Sequence, residues 1–227
     1  IQSDSEFSPG TRCEPAVPSI TGVSYFLVPL FPSVNFPLSS SEDDEPKLEK
    51  CQDVLVHRAG RRYRGEGIIK EVPSKIIPFM YLPEYRSKWD KALQSYKLLE
   101  RIDQDTGIYH SVTQSYGMGL ISSRDFVDLL HVKPYPGGIL TTNSVSVEYS
   151  SCPPTPSCVR GFNNPCGYVC SPLPENPQHS KLVVFIQPEL GGRLPCSVVE
   201  TALPTTLINL ITETRAGLQS LKDQNET

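Results

Sequence analysis

Residues 122–132, SSRDFVDLLHV, set Arg124, Asp125 and Asp128 inside an apolar run. In a strand beginning at Arg124, the side chains of Arg124, Phe126, Asp128, Leu130 and Val132 share one face, and Asp125, Val127, Leu129 and His131 share the other. Both faces are mixed. At about 3.3 Å per residue, Arg124 and Asp128 stand about 13 Å apart on their face, too far to pair with each other. A buried charge without a partner costs several kcal/mol, so either group, if internal, needs one from elsewhere in the fold. Inside an apolar cavity such a polar spot would orient an amphipathic ligand by its polar end. The alternative is structural: Arg124 and Asp125 at the strand mouth, making ion pairs there.

Other reactive side chains form no recognisable constellation. No GxSxG elbow is present, and no Cys and His spacing supports a nucleophilic site, so no catalytic residue is expected. His110, within IYHSV, reads first as a partly exposed strand residue. Cys166 and Cys170 in PCGYVC lie four apart in an apparent strand, hence on one face and about 13 Å apart, too far for a disulfide. The chain has seven cysteines at irregular spacings, which favours reduced thiols and a cytoplasmic setting over a disulfide framework or a metal site. No cofactor or metal is expected.

Composition narrows the class. The 227 residues are 38% hydrophobic and 20% charged with a net charge of −4, which suits one globular domain, expected to be monomeric. Lys and Arg (21) are outnumbered by Asp and Glu (25), and the most basic run is GRRYR at Gly60 to Arg64, so nucleic acid is not an expected partner. Because the first residue is Ile1, the chain reads as a fragment, a processed product or an incomplete gene model. The apolar patch at residues 23–38 holds three prolines, too many for a clean spanning helix. Residues 1–50, rich in Ser and Pro and containing SEDDEP, read as a disordered amino-terminal segment; a folded domain is expected over residues 51–222 and a tail over 223–227.

The elements that must position the charges follow from the pattern. RRYRGEGII alternates as a strand, residues 72–82 hold a short helix, and residues 85–102 bring the only tryptophan, Trp89. Apolar segments at residues 107–117, 124–132, 138–149, 158–172 and 181–190, joined by turn-rich pieces such as KPYPGG, imply an antiparallel sheet. Between Ser197 and Leu221, Val199, Leu203, Leu207, Leu210, Ile211, Leu218 and Leu221 form a helical stripe, with Glu200, Asn209, Glu213 and Arg215 largely opposite. Pro204 is expected to kink this helix or mark its start. A sheet curling round one amphipathic helix leaves room for a cavity between them. Tyr109, Tyr116 and Tyr168 are candidates to line it, with ordinary core packing as the alternative.

The succession WDKALQSYKLLERIDQDTGIYH, LISSRDFVDLL and VRGFNNPCGYVCSPLPENPQHSKLVVFIQPELGGRLP, followed by the terminal helix, resembles the StAR-related lipid transfer (START) domain. It is most similar to the small, single-domain, sterol-carrying members. The resemblance implies an α+β helix-grip fold, in which a curved antiparallel sheet wraps the carboxy-terminal helix around a lipid tunnel. It also implies binding of one sterol, cholesterol foremost, and transfer between membranes through transient contact. A bile acid, a phospholipid, a non-transferring sensor and a cyclase or hydrolase on the same cavity are the other readings. The expected tunnel residues are Arg124, Asp128, Phe126, Leu130, Tyr109, Ser111, Thr113, Leu203, Leu207 and Leu210. The expected lid joins the KPYPGG loop to the terminal helix, with Tyr135, Gly137, Gly138 and Pro204 absorbing its motion. Residues 1–49 match neither the family's first helix nor its first strand. The buried acid and base of steroidogenic relatives align with Ser111 and Leu130, so those two charges are absent here.

Overall fold

A computed structural model describes residues 47–51, 53–116 and 121–225. The elements run β1 (Lys47–Cys51), β2 (Val54–Ala59), β3 (Arg62–Ile69), α1 (Pro73–Tyr81), α2 (Pro83–Trp89), β4 (Leu93–Arg101), β5 (Thr106–Thr113), β6 (Arg124–Tyr135), β7 (Ile139–Ser146), β8 (Val159–Arg160), β9 (Phe162–Asn163), β10 (Cys166–Leu173), β11 (Asn176–Ile186), β12 (Pro188–Glu189) and α3 (Cys196–Asn225). The main sheet has the order β1-β2-β3-β11-β10-β7-β6-β5-β4, every neighbouring pair antiparallel, with β8 added parallel to β6. The expected α+β architecture of an antiparallel sheet and a terminal helix is present.

Strand β1 overlaps the expected boundary. It supplies an edge before the expected domain start, pairing Lys47 with Arg58 and Cys51 with Val54. KLEKC lacks the apolar alternation of a half-buried strand, as befits a strand at the edge of the sheet among the described residues.

Prolines set the two short helices. Pro73 and Pro83 each occupy a first-turn position, where the missing amide has no helical partner to lose. Pro83 also forces Leu82 into an extended conformation, which ends α1 and makes one residue both the cap of α1 and the cap of α2. The segment expected to carry Trp89 divides after it, into α2 and then β4. Trp89 stacks on Phe79 with ring centroids 5.6 Å apart, and its indole N–H donates to the Phe79 carbonyl at 2.9 Å. Both contacts are structural, a packed ring with its one donor satisfied.

Helix α3 is 30 residues, about 45 Å long at about 1.5 Å per residue, and runs unbroken through Pro204 from a start eight residues earlier. Leu203, Leu207, Ile211 and Leu218 bury its stripe against β2, β3 and α1. Close approach requires glycine on the sheet: a Cβ at Gly65 would lie 3.3 Å from that of Leu207, and one at Gly67 2.9 Å from Ile211 and 2.8 Å from the Arg215 guanidinium. Arg215 is therefore not simply solvated opposite the stripe; its Nε donates to the Ile68 carbonyl at 2.8 Å.

Ion pairs to the sheet side of the fold hold α3 near both of its ends. Near its start, Glu200 meets Arg58 at 2.6 Å; near its finish, Lys222 meets Glu71 at 2.8 Å and donates to the Lys70 carbonyl at 3.0 Å. A surface cavity of about 310 Å3 at the first end is lined by Val56, Arg58, Ser197, Glu200, Thr201, Pro204 and Thr205. Gly65→Val should drive two methyl groups into Leu207 and Ile211 and lower stability by about 1–3 kcal/mol. Urea denaturation of the variant and the parent checks this; equal midpoints would show that α3 stands further from β3.

Candidate functional site

The register across β4, β5, β6, β7 and β10 places Tyr96, Ser111, Tyr109, Asp128, Ser146, Ser144, Cys166 and Tyr168 on one face. This is the face that α2 covers. Arg86 on α2 inserts its guanidinium there: Nε donates to Asp90 at 3.1 Å, Nη2 lies 3.1 Å from the same carboxylate, and Nη1 donates to the Tyr168 hydroxyl at 3.0 Å. The guanidinium also lies 5.0 Å from the centre of the Tyr96 ring. Arg86 and Asp90 stand four residues apart, and Asp90 also accepts from the Ala92 amide at 3.1 Å, so the carboxylate ties the end of α2 to β4. Burial opposes the Arg86 charge, but Tyr168 and Asp90 outweigh it and raise its pKa.

Asp128 is the second buried charge of this region. It accepts from Ser146 Oγ at 2.7 Å and from Asn163 Nδ2 at 2.9 Å, while Ser146 Oγ in turn accepts from the Asn163 amide at 2.7 Å. Burial pushes its carboxyl pKa up, and the hydrogen bonds from Ser146 and Asn163 and the charges of Arg86 and His110 only partly offset the rise. Burial likewise pushes the Cys166 thiol up to about 12 and the Tyr109 phenol up to about 12.

An apolar surround completes the region. Tyr96 stacks on Tyr109 with centroids 5.6 Å apart, Tyr81 meets Tyr109 edge-on at 6.2 Å, and Leu130 is buried with them. Leu93, Leu98 and Val132 pack against this group. A concave wall of aromatic and aliphatic side chains thus holds one polar island, in which Arg86 is the cation and Asp90 and Asp128 are the anions. Arg86 uses three of its five N–H donors on the contacts above, and each Asp128 oxygen keeps acceptor capacity, so the island can both donate to and accept from a guest hydroxyl or carboxylate.

The sequence-predicted residues divide between this island and other places. Asp128, Tyr109, Leu130 and Ser111 share its face. Arg124 does not reach it: its guanidinium donates to the carbonyls of Leu190, at 3.2 Å, and Ser122, and its amide donates to Thr113 Oγ1 at 3.0 Å. This is a structural use at the strand mouth, where burial lowers the Arg124 pKa. Phe126 is buried against Gly161, where a Cβ would fall 2.3 Å from its ring. Tyr116 is 47% exposed and takes no part in the wall. Leu203 and Leu207 are buried in the core between α3 and the sheet, and Leu210 is half-buried beside them.

The two pieces of the expected lid are not brought together. Tyr135, Gly137 and Gly138 form the β6–β7 connection, with Tyr135 paired to Ile139 and Gly138 against Pro172. Pro204 sits near the other end, beside Val56 and Arg58. The positive φ of Gly137, 79°, is what a tight turn there requires.

Asp125 faces the opposite side of β6. It accepts from Arg160 Nε at 3.0 Å and Nη2 at 2.8 Å and lies 3.0 Å from His110 Nε2. Burial acts against its ionisation, yet hydrogen bonds from Arg160 and His110 outweigh it and hold the carboxyl below its ordinary range.

Sequence reasoning missed Arg86, Asp90, Ser146 and Asn163. The one local signal was the i, i+4 spacing of Arg86 and Asp90 around the tryptophan; Tyr168 lies 82 residues from Arg86. Among the described residues no group of His, Cys, Asp or Glu is arranged to hold a metal ion, and no helix is long and apolar enough to cross a membrane.

Because native Asp128 keeps its proton to a higher pH than the unfolded chain does, stability should fall as pH rises from the ordinary value of 3.8 through the native pKa. Asp128→Asn removes that titration. The stability of the variant relative to the parent, from urea midpoints, should therefore increase across this pH window and level off above it. A constant difference would mean that Asp128 titrates normally.

A family model described as START domain matches residues 37–224. StAR-related lipid transfer protein 6 of Homo sapiens is 46% identical over 161 residues, 71% of this chain and 73% of that protein. StAR-related lipid transfer protein 5 of Bos taurus is 40% identical over 150 residues, 65% of this chain and 70% of that one. Among solved structures, human StAR-related lipid transfer protein 5 superposes with a TM-score of 0.71 at 34% identity, covering 78% of this chain and 88% of that chain.

Proposed function

The chain belongs to the START domain family, and on that premise we propose that it holds one lipid against the concave wall and carries it between membranes unchanged, with a sterol as the leading cargo. The observation that carries the reading is the polar island of Arg86, Asp90, Tyr168 and Asp128 set into an apolar face. A sterol has that complementarity, with one hydroxyl on a rigid apolar body. Burying several hundred Å2 of such a body at about 25 cal/mol per Å2 supplies the driving force, and one hydrogen bond worth about 1 kcal/mol sets the orientation. The relatives named as lipid transfer proteins support carriage rather than chemistry. A cytoplasmic monomer touching membranes only transiently is part of the same reading.

A second cargo is favoured by one feature. Arg86 retains unused donors, so a steroid acid such as a bile acid, with a carboxylate to set against the guanidinium, fits the island as well as a neutral sterol does.

Native mass spectrometry of the purified chain after incubation with lipid, followed by displacement of a fluorescent sterol, tests the reading. One lipid per chain, recovered chemically intact, is the expected result. Arg86→Lys keeps the charge but cannot hold Asp90 and Tyr168 together, and it should weaken binding about fivefold, the equivalent of one hydrogen bond of about 1 kcal/mol. A folded chain that retains neither sterol nor bile acid, or that returns an altered lipid, overturns the proposal.

A further inference from the structure

The basic run noted in the sequence lies at a particular place in the fold. Ala59 pairs with Arg62, so β2 and β3 are joined by a turn of two residues, Gly60 and Arg61. Gly60 has φ 58°, and a Cβ there would meet nothing within 4 Å, so the turn projects from the body. Of the four arginines around it, the inner two are committed: Arg58 to Glu200 at 2.6 Å and Arg64 to Glu66. Those contacts also occupy the nearby acids, and Glu66 has a further partner in Lys181 at 2.9 Å. Arg61 and Arg62 are exposed, and their side chains make no ion pair or hydrogen bond among the described residues. Exposed Arg193 lies in the segment that leads into α3.

A chain with a net charge of −4 therefore carries an unneutralised cationic tip. The tip adjoins the first turns of α3 through the Arg58–Glu200 pair and the cavity lined by Ser197, Thr201 and Pro204. We propose that this β2–β3 tip is the surface by which the protein meets an anionic phospholipid bilayer, with Arg61 and Arg62 set against headgroup phosphates and carboxylates. The inference rests on the reading that the chain exchanges lipid with membranes, and it names the face that does so. Guanidinium suits the partner because its fork matches a phosphate or carboxylate with two parallel hydrogen bonds. Nucleic acid fits less well, since the neighbouring aromatic, Tyr63, is buried and presents no face for a base to stack on. Two exposed guanidiniums side by side on one projecting turn concentrate the attraction there, which orients the molecule with the start of α3 toward the membrane.

The test is co-sedimentation of the full chain with phosphatidylcholine vesicles and with vesicles in which part of that lipid is replaced by phosphatidylserine. The parent should prefer the anionic vesicles, and the preference should fade in high salt. Arg61→Gln with Arg62→Gln should lower binding to anionic vesicles about thirtyfold, at about fivefold for each arginine near the surface. Lys88→Gln with Lys97→Gln removes the same charge from exposed positions on α2 and on β4 at the opposite edge of the sheet, and should change binding far less. No anionic preference in the parent, or equal losses in the two double variants, overturns the proposal. Sterol displacement in vesicle-free solution separates the two readings. A chain that retains lipid but ignores charge defeats only the docking surface; one that docks but retains no lipid defeats only the cargo.

Discussion

Everything inside the sheet depends on finding partners for one guanidinium. Tyr96 on β4 and Tyr168 on β10 are separated by β5, β6 and β7 in the strand order, about 19 Å across a flat sheet at about 4.8 Å per strand. Both side chains nonetheless reach Arg86, which they can do only where the sheet curls. The buried charge and the curvature require each other. Without the curl Arg86 would lack partners from both limbs, and without Arg86 the phenol of Tyr168 and the carboxylate of Asp90 would be buried with their principal donor missing. Asp128, anchored to Ser146 and Asn163, adds a second polar point on the floor of the same concavity.

Helix α3 closes the other side by a different physical means. Glycines at positions 65 and 67 of β3 and at position 217 of the helix remove the side chains that would hold the layers apart. Leu207 and Ile211 fill the space, and the helix contributes mostly apolar contact there. One half of the interior is thus specified by polar geometry and the other by shape, with Val132 and Tyr81 packing against both groups.

Much of this was legible in the residues. Alternation along β3 and the apolar segments joined by turn-rich pieces at β5, β6 and β11 announced the sheet, and the stripe from Leu203 to Leu218 announced the helix that it grips. Local pattern failed where the physics was not local. β1 was missed because an edge strand paired on one side needs no apolar face. Arg86 was missed because its helix has seven residues and its partner Tyr168 is far along the chain. Arg124 looked like an internal charge seeking a ligand because its true partners are backbone carbonyls, which leave no trace in residue types.

The two acids of RDFVD have a consequence for misfolding. Asp125 and Asp128 point to opposite faces of β6, and both are held by the same excursion of chain, through Arg160 in β8 and Asn163 in β9. A slip of one residue in the pairing of a strand exchanges its two faces. In β6, whose faces are both part apolar, hydrophobic burial alone would penalise that slip weakly. With an acid anchored on each side, the slip strands two carboxylates at once, each facing groups that cannot receive it. The mixed character of its two faces is what leaves the strand a single alignment to adopt.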